Sequence, residues 1–166
     1  MQVREIMSKH PVSVDEDASV RTAVELMVDE DIGSVIVTRQ GSARPYKVGI
    51  LTRSDVLALE YEDHGDSTPS SALARFLDRF RGSRDSPLDD VTVGEVMSSP
   101  LVTVSPTLSV EDVVKRMQSE GIRHVVVTEK LQAIGIVTPT DVMEHHPEAV
   151  ELARRLGARG PDWDDR

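Results

Sequence analysis

The sequence predicts an α/β (α+β) protein made of two β-α-β-β-α repeats packed as a pseudo-twofold pair. Three observations carry that reading. The segment Val3-Arg4-Glu5-Ile6-Met7-Ser8 returns as Val93-Gly94-Glu95-Val96-Met97-Ser98. The segment Gly49-Ile50-Leu51-Thr52-Arg53-Ser54-Asp55 returns as Gly135-Ile136-Val137-Thr138-Pro139-Thr140-Asp141. Between these two motifs, each half carries a helix-spaced apolar stripe followed by a β-branched run. A repeated unit that cannot bury its apolar face alone stacks on its neighbour.

Each repeat opens on a short helical turn ending at Met7 or Met97. His10-Pro11 or Ser99-Pro100 breaks the chain, and an extended piece follows, Val12-Ser13-Val14 or Leu101-Val102-Thr103-Val104. Val20, Ala23, Val24 and Met27 then fall at i, i+3, i+4 and i+7, as do Val110, Val113, Val114 and Met117. That spacing lays one apolar stripe on a helix. Val35-Ile36-Val37 and Val125-Val126-Val127 are stiff at χ1 and suit a buried sheet. A second strand follows, Val48 to Leu51 or Ala133 to Val137, and a second helix is predicted from Thr52 or Thr138.

The offset between the repeats is 90 residues up to Thr38/Thr128 and 86 from Gly49/Gly135 onward, so the first half holds four extra residues. They lie between Thr38 and Val48 among Gly41, Ser42, Arg44 and Pro45, which are turn residues suited to a hairpin tip. The division expected is a first repeat over 1–60, a linker over 61–90, a second repeat over 91–145 and a helix with an acidic tail over 146–166. Ala72, Leu73, Phe76, Leu77 and Phe80 predict an amphipathic helix inside the linker. Glu148 to Leu156 predicts a short helix closed by Gly157.

Composition narrows the function. The 166 residues hold no cysteine, which excludes disulfides, thiolate metal sites and cysteine nucleophiles. No apolar run approaches the ~20 residues of a membrane span, and no secretory leader is visible, so a cytoplasmic protein is expected. The net charge is −10, and only four of the 19 basic residues are lysine. Nucleic-acid binding runs on cationic contacts to phosphate and is therefore disfavoured. The acid-rich, lysine-poor balance suggests adaptation to high salt. No nucleophile motif, glycine-rich phosphate loop or zinc pattern is present, so an enzyme is not expected.

Paired β-α-β-β-α units, each opening on Met-Ser and closing on Gly-hydrophobic-x-Thr-x-x-Asp, resemble a CBS-domain pair, or Bateman module. The resemblance covers about Val3 to Leu57 and Val93 to Met143. It implies two clefts that bind adenosyl ligands: AMP, ADP or ATP, with S-adenosylmethionine or NAD as further members of the class and magnesium accompanying ATP. No cofactor is required. The ribose-binding acid of the family falls on Asp55 and Asp141, and the hydroxyl that contacts ribose or phosphate falls on Thr52 and Thr138. The adenine edge is read by backbone around Ser13-Val14 and Thr103-Val104, with Ile50 and Ile136 against the ring. The basic pair falls on Arg123-His124, where the first repeat has Gly33-Ser34. The resemblance further implies a homodimer, and an effector protein regulated in trans; neither a nucleic acid nor a membrane is expected as partner.

The chemistry stands beside a plainer alternative. An ionised aspartate accepts hydrogen bonds only and can take ribose hydroxyls. Unpaired N–H groups at a helix start suit a phosphate. Yet Thr-x-x-Asp is also a capping box, in which threonine caps the N3 amide and the acid reaches back. A ligand-free dimerisation scaffold with both acids as caps is therefore the second reading. Met7, Met27, Met97 and Met117 read as core. His145-His146 reads as a solvated helix end, and His124 stays open between phosphate contact and a structural role.

Overall fold

The computed structural model describes residues 1–41, 46–61 and 87–145. The amphipathic segment around Leu73 to Phe80 and the C-terminal helix and tail lie outside the described residues. The chain divides into two compact units, one formed by Met1–Pro11 with Val102–Arg166 and the other by Val12–Leu101. Each unit thus takes the opening turn of one repeat and the body of the other.

The contiguous unit holds β2 (Ser13–Asp15), α2 (Val20–Asp29), β3 (Ser34–Arg39), β4 (Tyr46–Thr52), α3 (Arg53–Tyr61), a 3-10 turn (Pro87–Asp89) and α4 (Val93–Val96). Its sheet runs β2-β3-β4, with β2 parallel to β3 and β4 antiparallel to it. Helix α2 starts where Ser19 accepts the Thr22 N–H, the side-chain cap expected of serine. Its stripe of Val20, Ala23, Val24 and Met27 is buried against Val14, Val35, Val37, Leu51 and Val56. Leu88 and Val93 join this core, and Arg21 pairs with Asp89, so the chain returning from the linker is fastened beside α2.

The split unit repeats the plan with α1 (Val3–Ile6), β1 (Ser8–Lys9), β5 (Thr103–Val104), α5 (Val110–Glu120), β6 (Val125–Glu129), β7 (Gln132–Val137) and α6 (Pro139–His145). Its sheet runs β1-β7-β6-β5. Val3 and Ile6 are buried with Val110, Val113, Val114, Met117, Val125, Val127, Val137 and Val142. Gly121 closes α5 with a left-handed φ of 66° and donates to the Met117 carbonyl.

The periodicity of the sequence is met in both units, with two refinements. The second helix of each repeat begins one residue after the threonine, at Arg53 and at Pro139, so the threonine is the cap. Strand β1 is the second. Ser8 and Lys9 pair antiparallel with Ile136 and Gly135, and the Ile50–Ser98 bridge is the same contact in the contiguous unit.

Candidate functional site

Register places the candidate residues. In the contiguous unit Ser13 faces Ile36, Ile36 faces Ile50, and Ile50 faces Ser98. Residues paired across strands project to the same side of a sheet, so these four form one row. Ser34 and Thr52, themselves paired, lie on the same side two residues along. Alternate positions Val14, Val35, Val37 and Leu51 point the other way, into the helix-backed core. Ile36 and Ile50 are buried without belonging to that core. The second face is thus a pair of isoleucines fringed by hydroxyls.

The split unit has the matching row Thr103–Val126–Ile136–Ser8. His124 and Thr138 stand one step beyond the last paired residues, Val125 and Val137. Arg123 is exposed and His124 half-buried. The sequence-predicted residues therefore gather unit by unit: Ser13, Ile50, Thr52 and Asp55 in one, and Thr103, Arg123, His124, Ile136, Thr138 and Asp141 in the other. Val14 and Val104 turn their side chains into the cores, so only their backbone could meet a ligand. Strands β2 and β5 end their sheets, and an edge strand keeps backbone groups outside the ladder. At Thr103 one of those groups is taken, because Arg116 donates to its carbonyl at 3.1 Å.

The two acids have the same surroundings. The Asp55 Oδ2 accepts the Thr52 N–H and the Thr52 hydroxyl, each at 2.7 Å, while the Asp55 N–H donates to Thr52 Oγ1 at 3.3 Å. Asp141 Oδ2 accepts the same two donors of Thr138, each at 2.7 Å. The capping box is complete at both sites. The other carboxylate oxygen takes a serine. Ser98 Oγ donates to Asp55 Oδ1 at 3.1 Å, and Ser8 Oγ donates to Asp141 Oδ1 at 2.9 Å.

Sequence reasoning misses those two serines. The signal was present in the Met-Ser of both openings, but nothing in the sequence says that Ser98 lies beside Asp55, 43 positions away, or Ser8 beside Asp141, 133 positions away. The glycines of the strand motifs explain the approach. A Cβ on Gly49 would lie 2.6 Å from Met97 Sδ and 2.7 Å from the Ser98 carbonyl. On Gly135 it would lie 2.6 Å from Met7 Sδ and 2.8 Å from the Ser8 carbonyl. Glycine lets the opening segment cross the strand closely enough for its serine to reach the acid.

No group of three or more histidine, cysteine, aspartate or glutamate side chains that could hold a metal occurs among the described residues. His145 Nδ1 lies 2.9 Å from the Asp141 carbonyl, within its own helix. Among the described residues no helix is long and apolar enough to cross a membrane.

Comparison with known proteins agrees with this architecture. The CBS domain family model matches residues 3–62 and 93–148. An uncharacterized protein of Methanocaldococcus jannaschii is 28% identical over 87% of this chain, which spans only 31% of that relative's length. A CBS domain-containing protein of Bacillus subtilis is 25% identical over 84% of this chain and 81% of its own. Among solved structures, a hexameric CBS-CP12 protein from bloom-forming cyanobacteria is similar with a TM-score of 0.68 and 25% identity, over 91% of this chain and 70% of its own. Proteins with this domain are typically regulatory rather than catalytic. With two segments matched and both carrying the same strands, helices and capped acid, the chain belongs to the CBS domain family as a tandem pair.

Proposed function

We propose that this chain binds an adenosyl ligand and passes its occupancy to a protein regulated in trans, without catalysing a reaction itself. One observation carries the proposal. In each unit a capped, ionisable acid stands at the end of a sheet face that holds buried apolar side chains and a hydroxyl fringe outside the helix-backed core. The apolar strip suits a purine ring, and the acid suits ribose hydroxyls. AMP, ADP and ATP are the ligands proposed, with magnesium accompanying ATP. Arg123 and His124 favour a phosphorylated ligand on the split unit, since Gly33 and Ser34 offer no cation at the matching place. Self-association, as a homodimer, and a cytoplasmic setting belong to the same proposal.

Asp55→Ala and Asp141→Ala are expected to weaken nucleotide binding at their own units by roughly 10- to 150-fold, the loss of a charge-assisted hydrogen bond of about 1.5–3 kcal/mol. Isothermal titration with AMP, ADP, ATP, NAD and S-adenosylmethionine measures this, and unchanged affinity in the double variant refutes the ribose role. The completed capping boxes favour a second reading, a ligand-free scaffold. Its expectation is a lower unfolding midpoint in both variants with no ligand bound by the parent chain.

A further inference from the structure

In each unit a serine from the opening motif donates to the same acid that the adenosyl reading assigns to ribose. Asp55 offers about four acceptor positions, two on each oxygen. Oδ2 already receives the Thr52 N–H and hydroxyl, which fills it. Oδ1 receives the Ser98 hydroxyl, which leaves room for one more donor. A cis-diol brings two. Either the ligand uses a single hydroxyl, or one existing donor must leave. The Thr52 N–H is fixed by the helix start, and the Thr52 side chain is held in the buried end of β4. Ser98 is exposed, and its 3.1 Å bond is longer than either bond from Thr52. Its hydroxyl can turn to water by a rotation about χ1, while its backbone stays paired with Ile50 through two hydrogen bonds of 2.9 and 3.1 Å.

We propose that Ser98 is a specificity-determining residue: its hydroxyl occupies the acceptor that the second ribose hydroxyl needs, and a ribose diol binds Asp55 by displacing it. Ser8 does the same to Asp141, where the donor count is identical. The inference rests on the adenosyl reading given above. It sets the ligand affinity of each unit through a residue contributed by the other repeat's opening motif.

Ser98→Ala and Ser8→Ala remove one hydroxyl and leave the backbone pairing in place, so the fold is retained. Titration of the parent chain, both variants and Asp55→Ala with AMP and with 2′,3′-dideoxy-AMP tests the proposal. The expected result is a rise of about threefold to tenfold in AMP affinity at the altered unit. Affinity for the dideoxy nucleotide, which brings no diol, stays where it was. If AMP binds the parent chain and serine removal leaves its affinity unchanged or lowers it, competition is overturned while the adenosyl reading stands. An equal rise for both nucleotides also overturns it, since the gain would not come from the diol. If no nucleotide binds the parent chain, the adenosyl reading and this inference fall together.

Discussion

At the scale of single residues, the tightest constraint in each unit is a glycine under a methionine. Gly49→Ala and Gly135→Ala are expected to destabilise by about 1–3 kcal/mol, because the new methyl meets a backbone carbonyl that cannot swing away. Gly33→Ala, with nothing within 4 Å of its added carbon, serves as the neutral control. Urea unfolding compares the three. Titration provides a second residue-scale test. The Thr92 N–H and hydroxyl hold the Glu95 carboxyl below the ordinary glutamate range. A depressed folded value adds stability above the unfolded value, and that stability is lost as pH falls through the folded one. Glu95→Gln should therefore lower stability at neutral pH, where the ionised carboxyl contributes, change it little at the acid end, and so flatten the fall in stability below about pH 4. Acid unfolding followed by circular dichroism would show this. The sequence made the glycines and acids legible as a repeated motif. It did not make legible why strand glycines were needed, because the segment that crosses each one comes from the opposite half of the chain.

Elements were the most legible scale, since helical spacing and β-branched runs are local signals. The short strand β1 escaped because two residues carry no period, and its existence depends on β7, over 120 positions away. Local chemistry also exposes one poorly matched element. The turn between β6 and β7 puts Lys130 at φ 48° and Leu131 at φ 67°, with Leu131 77% exposed. A two-residue turn with both φ values positive favours Asn-Gly. Replacing Lys130-Leu131 with Asn-Gly should stabilise the hairpin by about 1–2 kcal/mol, the cost of left-handed backbone at residues with a Cβ. At the other extreme, Ser109 accepts the Asp112 N–H and donates to its carboxylate, so α5 is capped in both directions. Ser109→Ala should cost about 1 kcal/mol, read as a lower thermal midpoint.

For the whole molecule, the sequence shows the duplication, while the structure shows how its pieces are shared. Compact units are bounded near Pro11 and Leu101, whereas the repeats begin at Val3 and Val93. Removing residues 1–11 would strip Val3 and Ile6 from the split unit's core, leaving the contiguous unit with all of its own chain. Two unfolding transitions in place of one are the expected outcome, with only the first shifted downward. Net charge acts at this scale too. At −10, self-repulsion opposes compaction, and screening by salt relieves it. The thermal midpoint should rise as KCl is raised toward molar concentration, and a flat response would remove the high-salt reading.

The sharing of pieces also sets an order for synthesis. The contiguous unit is complete once residue 101 has left the ribosome, but Val3 and Ile6 must wait for a partner that starts at Val102. At ~5–20 residues per second, that wait is roughly 5–20 s, during which a nascent apolar turn stands without its core. Val3 and Ile6 are thus translated well before the residues that bury them, and chains arrested shortly after residue 101 should lose this turn to protease while strands β2, β3 and β4 resist.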